Sequence, residues 1–198
     1  VDHNGKCYAV TDFPDYLNEA ITKQGFMRGY TQDVPHTDLF LGVSPNVYRI
    51  TGFKSYKSLA QKVAVTGSLN VPSGYTALVS LPTGGGKSLI TQTMAFQEKK
   101  GLTIVVVPTV SLALDQVRVS KDNIKVAQDE EIACYYGDLE QEEKSKLFDR
   151  LSEKKLRLLF ISPEALVKNE RFRKAIVDAA ASDYLNHASI KQSSTDSE

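Results

Sequence analysis

The sequence predicts an α/β protein, a parallel sheet covered by helices on both faces. Three observations predict it. From residue 51 onward, short apolar runs such as LTIVVVP, IACYYG and LRLLFISP alternate with helical patterns, as strands buried on two faces do. A glycine-rich string, PTGGGKS at 82–88, joins an apolar run to an amphipathic one. The composition, 41% apolar and 24% charged, is that of an ordinary globular domain.

The 198 residues suit one domain, or one domain with an extension. No apolar run approaches the roughly 20 residues that span a bilayer, so no membrane partner is expected. The opening VDHNGKCYAV lacks the apolar core of a signal peptide. Cys7 and Cys134 stand far apart, and His3, His36 and His187 have no ligand spacing, so neither a disulfide framework nor a zinc site is suggested. A reduced, cytoplasmic setting is expected. Lys+Arg and Asp+Glu balance at 24 each, so any contact with nucleic acid must come from a local surface.

The elements follow in order. Residues 1–50 form a mixed segment. DFPDYLNEAITKQG reads as a helix with Pro14 in its first turn, Tyr16, Leu17, Ala20 and Ile21 on one face, and Gly25 as its stop. YTQDVPHTDLFLGVSPN has turn residues and no period, and reads as loop with at most a short strand. Then come a helix in YKSLAQKVAVTGSL, a strand in TALVSL and a helix in KSLITQTMAFQEKK. LTIVVVP, IACYYG and LRLLFISP are strands, separated by helices in SLALDQVRV and DLEQEEKSKLFDRLSEKK. In the last of these helices Asp138 with Gln141 three residues on makes a capping box. Ser162 and Pro163 open a final helix that could run to Ala188. The tail, SIKQSSTDSE, is polar enough to be disordered. The expected division is thus an N-terminal accessory segment at 1–50, a main domain at 51–188 and a tail at 189–198.

Strand, glycine loop, helix is the context that makes PTGGGKS a phosphate site. Glycines permit positive φ and bring backbone N–H groups close to phosphate oxygens, and the positive end of the following helix adds to the same place. Thr83, Gly84, Gly85, Gly86, Lys87, Ser88 and Leu89 are the expected nucleotide contacts. Lys87 would reach the β- and γ-phosphates, and Ser88 Oγ would hold Mg²⁺. Chance gives this heptapeptide in on the order of one chain in a million of this size.

The general phosphate-loop pattern begins with glycine where this chain has Leu81. Leucine followed by PTGGGKS resembles motif I of superfamily 2 helicases, most closely the RecQ-like branch. VVVPTVSLALDQV resembles motif Ia and LRLLFISPEAL resembles motif Ib. The resemblance covers roughly residues 52–167 and implies a P-loop NTPase fold, the first RecA-like lobe of an ATP-dependent DNA helicase or translocase. It implies ATP and Mg²⁺ as cofactors, single-stranded or partly duplex DNA as partner, and a second RecA-like lobe. It leaves residues 1–50 for contacts with other proteins. Thr109, Ser111, Gln116 and Ser162 are the expected DNA contacts, although Thr109, Ser111 and Ser162 could each be a helix cap only. GFKSYKSLAQKVAV resembles the glutamine-containing motif that reads adenine, with Gln61 on the base edge and Tyr56 or Phe53 stacked on it. Against that stands Gln61 as an exposed polar position of an amphipathic helix. The Tyr-Lys-Ser-x-x-Gln spacing resembles defence-associated, DpdF-type members, which implies an antiviral role and, in a bacterium, a place at the nucleoid.

An Asp-Glu pair at the tip of a further apolar strand, which such helicases need, is not found. Asp129, Glu130 and Glu131 follow KVAQ, which is no apolar run. The expectation is an N-terminal piece of a longer helicase, one that binds nucleotide weakly and turns it over slowly. A phosphotransferase or nucleotide switch with the same loop stays open, and so does a non-catalytic nucleic-acid- or protein-binding module. Basic clusters at Lys99-Lys100, Lys154-Lys155-Arg157 and Arg171-Arg173-Lys174 read as solvated helix faces or ends, the last with a chance of facing phosphates.

Overall fold

The computed structural model describes residues 41–191. The helix expected at 12–25 and the tail beyond 191 lie outside the described residues. Ser44 caps a short helix α1, Pro45–Thr51, with proline in its first turn. The sequence pattern predicts loop with at most a short strand up to Asn46, and no element at 47–50. Next come α2 (Leu59–Leu69), α3 (Ser88–Gln97), β1 (Leu102–Val106), α4 (Val110–Asn123), β2 (Ile132–Tyr135), α5 (Gln141–Ser152) and β3 (Leu158–Ile161). The series closes with α6 (Pro163–Lys168), α7 (Glu170–Ala181) and β4 (Leu185–Ile190).

The four strands form one parallel sheet in the order β2-β3-β1-β4. Strand periodicity sorts their side chains between two cores. Leu102, Ile104, Ala133, Tyr135, Leu159 and Ile161 pack on one face with α5, α6 and α7. Val105, Ile132, Leu158 and Phe160 pack on the other with residues of α1, α3 and α4. Helices on both faces are therefore observed, as predicted. A third, smaller cluster holds Val47, Tyr56, Val65, Leu81, Leu89 and Ile90 together behind the glycine loop.

Three expectations are corrected, and one strand is added. TALVSL is not a strand: residues 75–80 are irregular and exposed, with Leu78 99% accessible. A strand needs a ladder partner for its N–H and C=O groups, and this run pairs with none of the described strands. Asp138 does not cap a helix, because residues 136–139 turn the chain out of β2, with Leu139 N donating to Tyr136 O at 3.3 Å, and α5 begins at Gln141. The final helix breaks at Asn169, whose extended backbone and Oδ1, accepting from Phe172 N at 2.9 Å, start α7 afresh. The chain then returns to the sheet as β4, a strand that composition did not announce, since LNHASI alternates in burial as an edge strand does.

Arg157, grouped in the sequence with surface lysines, is only 8% exposed. Its guanidinium donates to the carbonyls of Ala95, Glu98 and Lys99 at the end of α3 and lies 4.7 Å over the Phe96 ring. It thus terminates the helix that the glycine loop begins. Tyr184 is equally enclosed, with its hydroxyl donating to Leu156 O. Burial pushes this phenol up to about 12, against the pull of the Arg157 charge. The neutral phenol is the form that the fold favours, so its contribution is complete below pH 10 and lost as pH rises from 10 to 12. Two pH units correspond to about 2–3 kcal/mol. Urea unfolding should show Tyr184→Phe less stable than the parent at pH 8, with the difference closing above pH 10. A gap constant from pH 8 to 12 would refute the assignment.

Candidate functional site

The glycine loop turns between Pro82 and Gly85, where Gly85 N donates to Pro82 O at 3.0 Å. Gly84 and Gly86 hold φ of +76° and +78°, a region that residues with a Cβ rarely adopt. At Gly86 space adds a second reason: a Cβ would lie 1.9 Å from Gln61 Nε2. The loop feeds α3 at Ser88, and its first turn has no side-chain cap. Leu89 N and Ile90 N donate back to Gly86 O and Lys87 O at 3.1 and 3.2 Å, which leaves the preceding loop N–H groups and the helix dipole as the features that suit an anion. Lys87 Nζ has one contact, 3.4 Å from Pro82 O. Leu89 is buried and ties the turn to the third apolar cluster. Thr83, Gly84, Gly85, Gly86, Lys87 and Ser88 therefore form one continuous cradle, and its residues fit a phosphate chain.

Gln61 sits against this cradle. It is 3% exposed, so the exposed-position reading fails. Its Nε2 donates to Gly86 O at 3.2 Å and its Oε1 accepts from Lys57 N at 2.7 Å. Both ends of the amide are thus used inside the protein, where the sequence reading had them on adenine. Tyr56 is buried in the third cluster, so its ring packs the core. Phe53 is the partly exposed ring nearby in sequence.

The strand tips carry the other candidates. Thr109 Oγ1 caps α4, accepting from Leu112 N at 3.2 Å, and lies 3.2 Å from Ser111 Oγ. Both residues are exposed. Ser162 is 4% exposed, and its hydroxyl caps α6 by accepting from Ala165 N at 3.3 Å. With Ala113 and Ser120, Gln116 lies on the buried face of α4, and Ser88 Oγ donates to its Oε1 at 2.8 Å.

One residue that the sequence reading assigned to the tail joins the site. Lys191, one step past β4, donates from Nζ to Ser88 Oγ at 2.9 Å and to Gln116 Oε1 at 2.8 Å. Burial lowers this ammonium's pKa first, the Lys87 charge lowers it further, and Asp115 opposes both. The only sequence signal was its place at the end of a polar strand. These contacts bear on Mg²⁺. Ser88 Oγ is engaged by an amide and an ammonium, and among the described residues no group of three or more His, Cys, Asp or Glu could hold a metal. The residues present do not fit Mg²⁺. Asp129, Glu130 and Glu131 form a 3₁₀ turn before β2, and Glu131 lies 3.8 Å from Arg157.

The family described as DEAD/DEAH box helicase matches residues 59–182. Among curated proteins, the ATP-dependent DNA helicase RecQ of Synechocystis is 40% identical over 91 residues, 46% of this chain and 18% of its own length. The RecQ of Haemophilus influenzae is 32% identical over 124 residues, 63% of this chain and 18% of that protein. The ATP-dependent helicase SGS1 of Saccharomyces cerevisiae is 33% identical over 146 residues, 72% of this chain and 9% of its own. The chain spans less than a fifth of the length of these relatives. Among solved structures, the UvsW helicase from Bacteriophage T4 matches with a TM-score of 0.43 and 14% identity, over 77% of this chain and 56% of that one.

Proposed function

The chain belongs to the DEAD/DEAH box helicase family, and from that membership we propose that it is part of the first motor lobe of a RecQ-like, ATP-dependent DNA helicase or translocase. The observation that carries the proposal is the uncapped start of α3 behind a glycine cradle. There the loop N–H groups and Lys87 take the phosphates of ATP. Gln61 acts as a positioning residue through Gly86, and Phe53 is the ring available to the base. Thr109 and Ser111, at the tip of β1, take the backbone of single-stranded or partly duplex DNA, where hydroxyls hold phosphates without reading sequence. ATP, when bound, supplies the free energy of phosphoanhydride cleavage.

A second RecA-like lobe completes the parent enzyme, residues 1–50 serve as an accessory segment open to protein partners, and the parent works where DNA lies. Defence-associated relatives of the DpdF type are the branch that the Tyr-Lys-Ser-x-x-Gln spacing favours. The described residues carry no Asp-Glu pair on a strand tip, so this chain turns ATP over slowly. Turnover on the order of 10 per second by the purified chain would contradict that.

The test is a pair of titrations, one with a fluorescent ATP analogue and one with labelled single-stranded DNA. Lys87→Ala should weaken nucleotide binding about 100-fold, the loss of a charge-assisted contact, and leave DNA affinity within about twofold. The double variant Thr109→Ala, Ser111→Ala should do the converse, weakening DNA several-fold. Unchanged nucleotide affinity in Lys87→Ala would sink the proposal. A nucleotide switch without DNA uptake is the second outcome, and the exposed hydroxyls at the β1 tip speak against it.

A further inference from the structure

A phosphate loop ordinarily shares one Mg²⁺ between its Ser/Thr hydroxyl and an aspartate from a neighbouring strand. In this chain the neighbouring strand is β4, paired to β1, and its tip delivers a lysine. The backbone places it firmly: Ile190 pairs with Val106, and Lys191 N donates to Val106 O at 2.8 Å. From there Nζ reaches Ser88 Oγ at 2.9 Å, with Gln116 Oε1 closing the triangle at 2.8 Å from both. Asp115, the carboxylate next in sequence, is already bound to Arg118 at 2.8 Å.

We propose that the Lys191 ammonium is the resident cation of the phosphate loop, so that this chain takes nucleoside di- and triphosphates without a divalent metal. The proposal rests on the nucleotide reading above and goes beyond it. Three considerations support it. An ammonium has no acceptor capacity, so it points its donors at Ser88, Gln116 and any oxyanion set between them. A metal dication beside it would meet like-charge repulsion in a partly enclosed site. Finally, Lys87 and Lys191 leave an excess of positive charge that a phosphate chain neutralises. A single positive charge at this point also gives less support to a developing negative charge than Mg²⁺ would, in keeping with slow turnover.

The test is calorimetric titration of the 198-residue chain with ADP and ATP, once in EDTA and once in excess MgCl₂. The unmodified chain is expected to bind in EDTA as tightly as in Mg²⁺, within about threefold. Lys191→Met should weaken binding in EDTA about 10- to 100-fold, the worth of a hydrogen bond to a charged group, while Lys191→Arg keeps most of it. Lys191→Asp should bind only when Mg²⁺ is present. A tenfold or greater dependence of the unmodified chain on Mg²⁺ overturns the assignment and leaves the nucleotide site standing. So does undiminished binding by folded Lys191→Met in EDTA. No uptake by the unmodified chain in either buffer overturns the nucleotide site itself.

Discussion

Replacing Arg157 with methionine should lower the unfolding free energy by about 3–5 kcal/mol, the cost of leaving several buried carbonyls without their charged donor. Few single changes away from the apolar core should cost as much. The guanidinium holds three carbonyls, those of Ala95, Glu98 and Lys99, which end α3. Methionine fills the volume and covers the Phe96 ring, so the loss reports unsatisfied carbonyls and not a cavity. The native arrangement already carries a desolvation cost, since Arg157 Nε is buried without a hydrogen-bond partner and burial lowers the guanidinium's pKa. Lysine should recover only part of the loss, because an ammonium cannot reproduce the planar fork that spans three acceptors. Urea unfolding at pH 7 measures the effect. A loss below 1 kcal/mol would mean that water replaces the guanidinium at the helix end, and Arg157 would then be a solvated surface group after all.

This residue also shows where sequence reasoning stops. KKLRLLF reads as two lysines and an arginine before a strand, and charge runs are usually exposed. What buries Arg157 is the end of a helix some 58–62 residues earlier, a contact that no local pattern encodes. β1, β2 and β3 were legible because nearly all of their residues are buried and most are apolar, whether the strand is central or, like β2, at an edge. β4 was not, since an edge strand tolerates Asn186, His187 and Ser189 in its pleat. TALVSL had strand composition and no partner, and pairing decides. The glycine loop was legible to the residue, for its backbone demands are local. Its neighbours were less so: Gln61 binds Gly86 across 25 residues and Lys191 binds Ser88 across 103. Motif spacing marked Gln61 and Gln116 as worth attention, but their contacts inside the protein with Gly86 and Ser88 are long-range and were not legible.

Gly86→Ala is the second large effect, expected to cost about 2–3 kcal/mol and to abolish nucleotide uptake at millimolar concentrations. Two terms combine. At φ of +78° an alanine carries strain of about 1 kcal/mol or more, and its Cβ would lie 1.9 Å from Gln61 Nε2 and 2.9 Å from Cδ. The amide must leave, and with it go the bonds to Gly86 O and Lys57 N, each worth about 1 kcal/mol. A double-mutant cycle with Gln61→Ala separates the terms. Gln61→Ala alone should cost about 1–2 kcal/mol through the lost bonds. In the pair the collision is gone, so the double variant should be more stable than the sum of the single losses predicts by about 1 kcal/mol. Strict additivity would mean that the amide moves aside freely and that the loop does not depend on it. Uptake of nucleotide by the double variant, but not by Gly86→Ala, would locate the damage in the collision. Failure of both would locate it in the backbone angle that only glycine holds without strain.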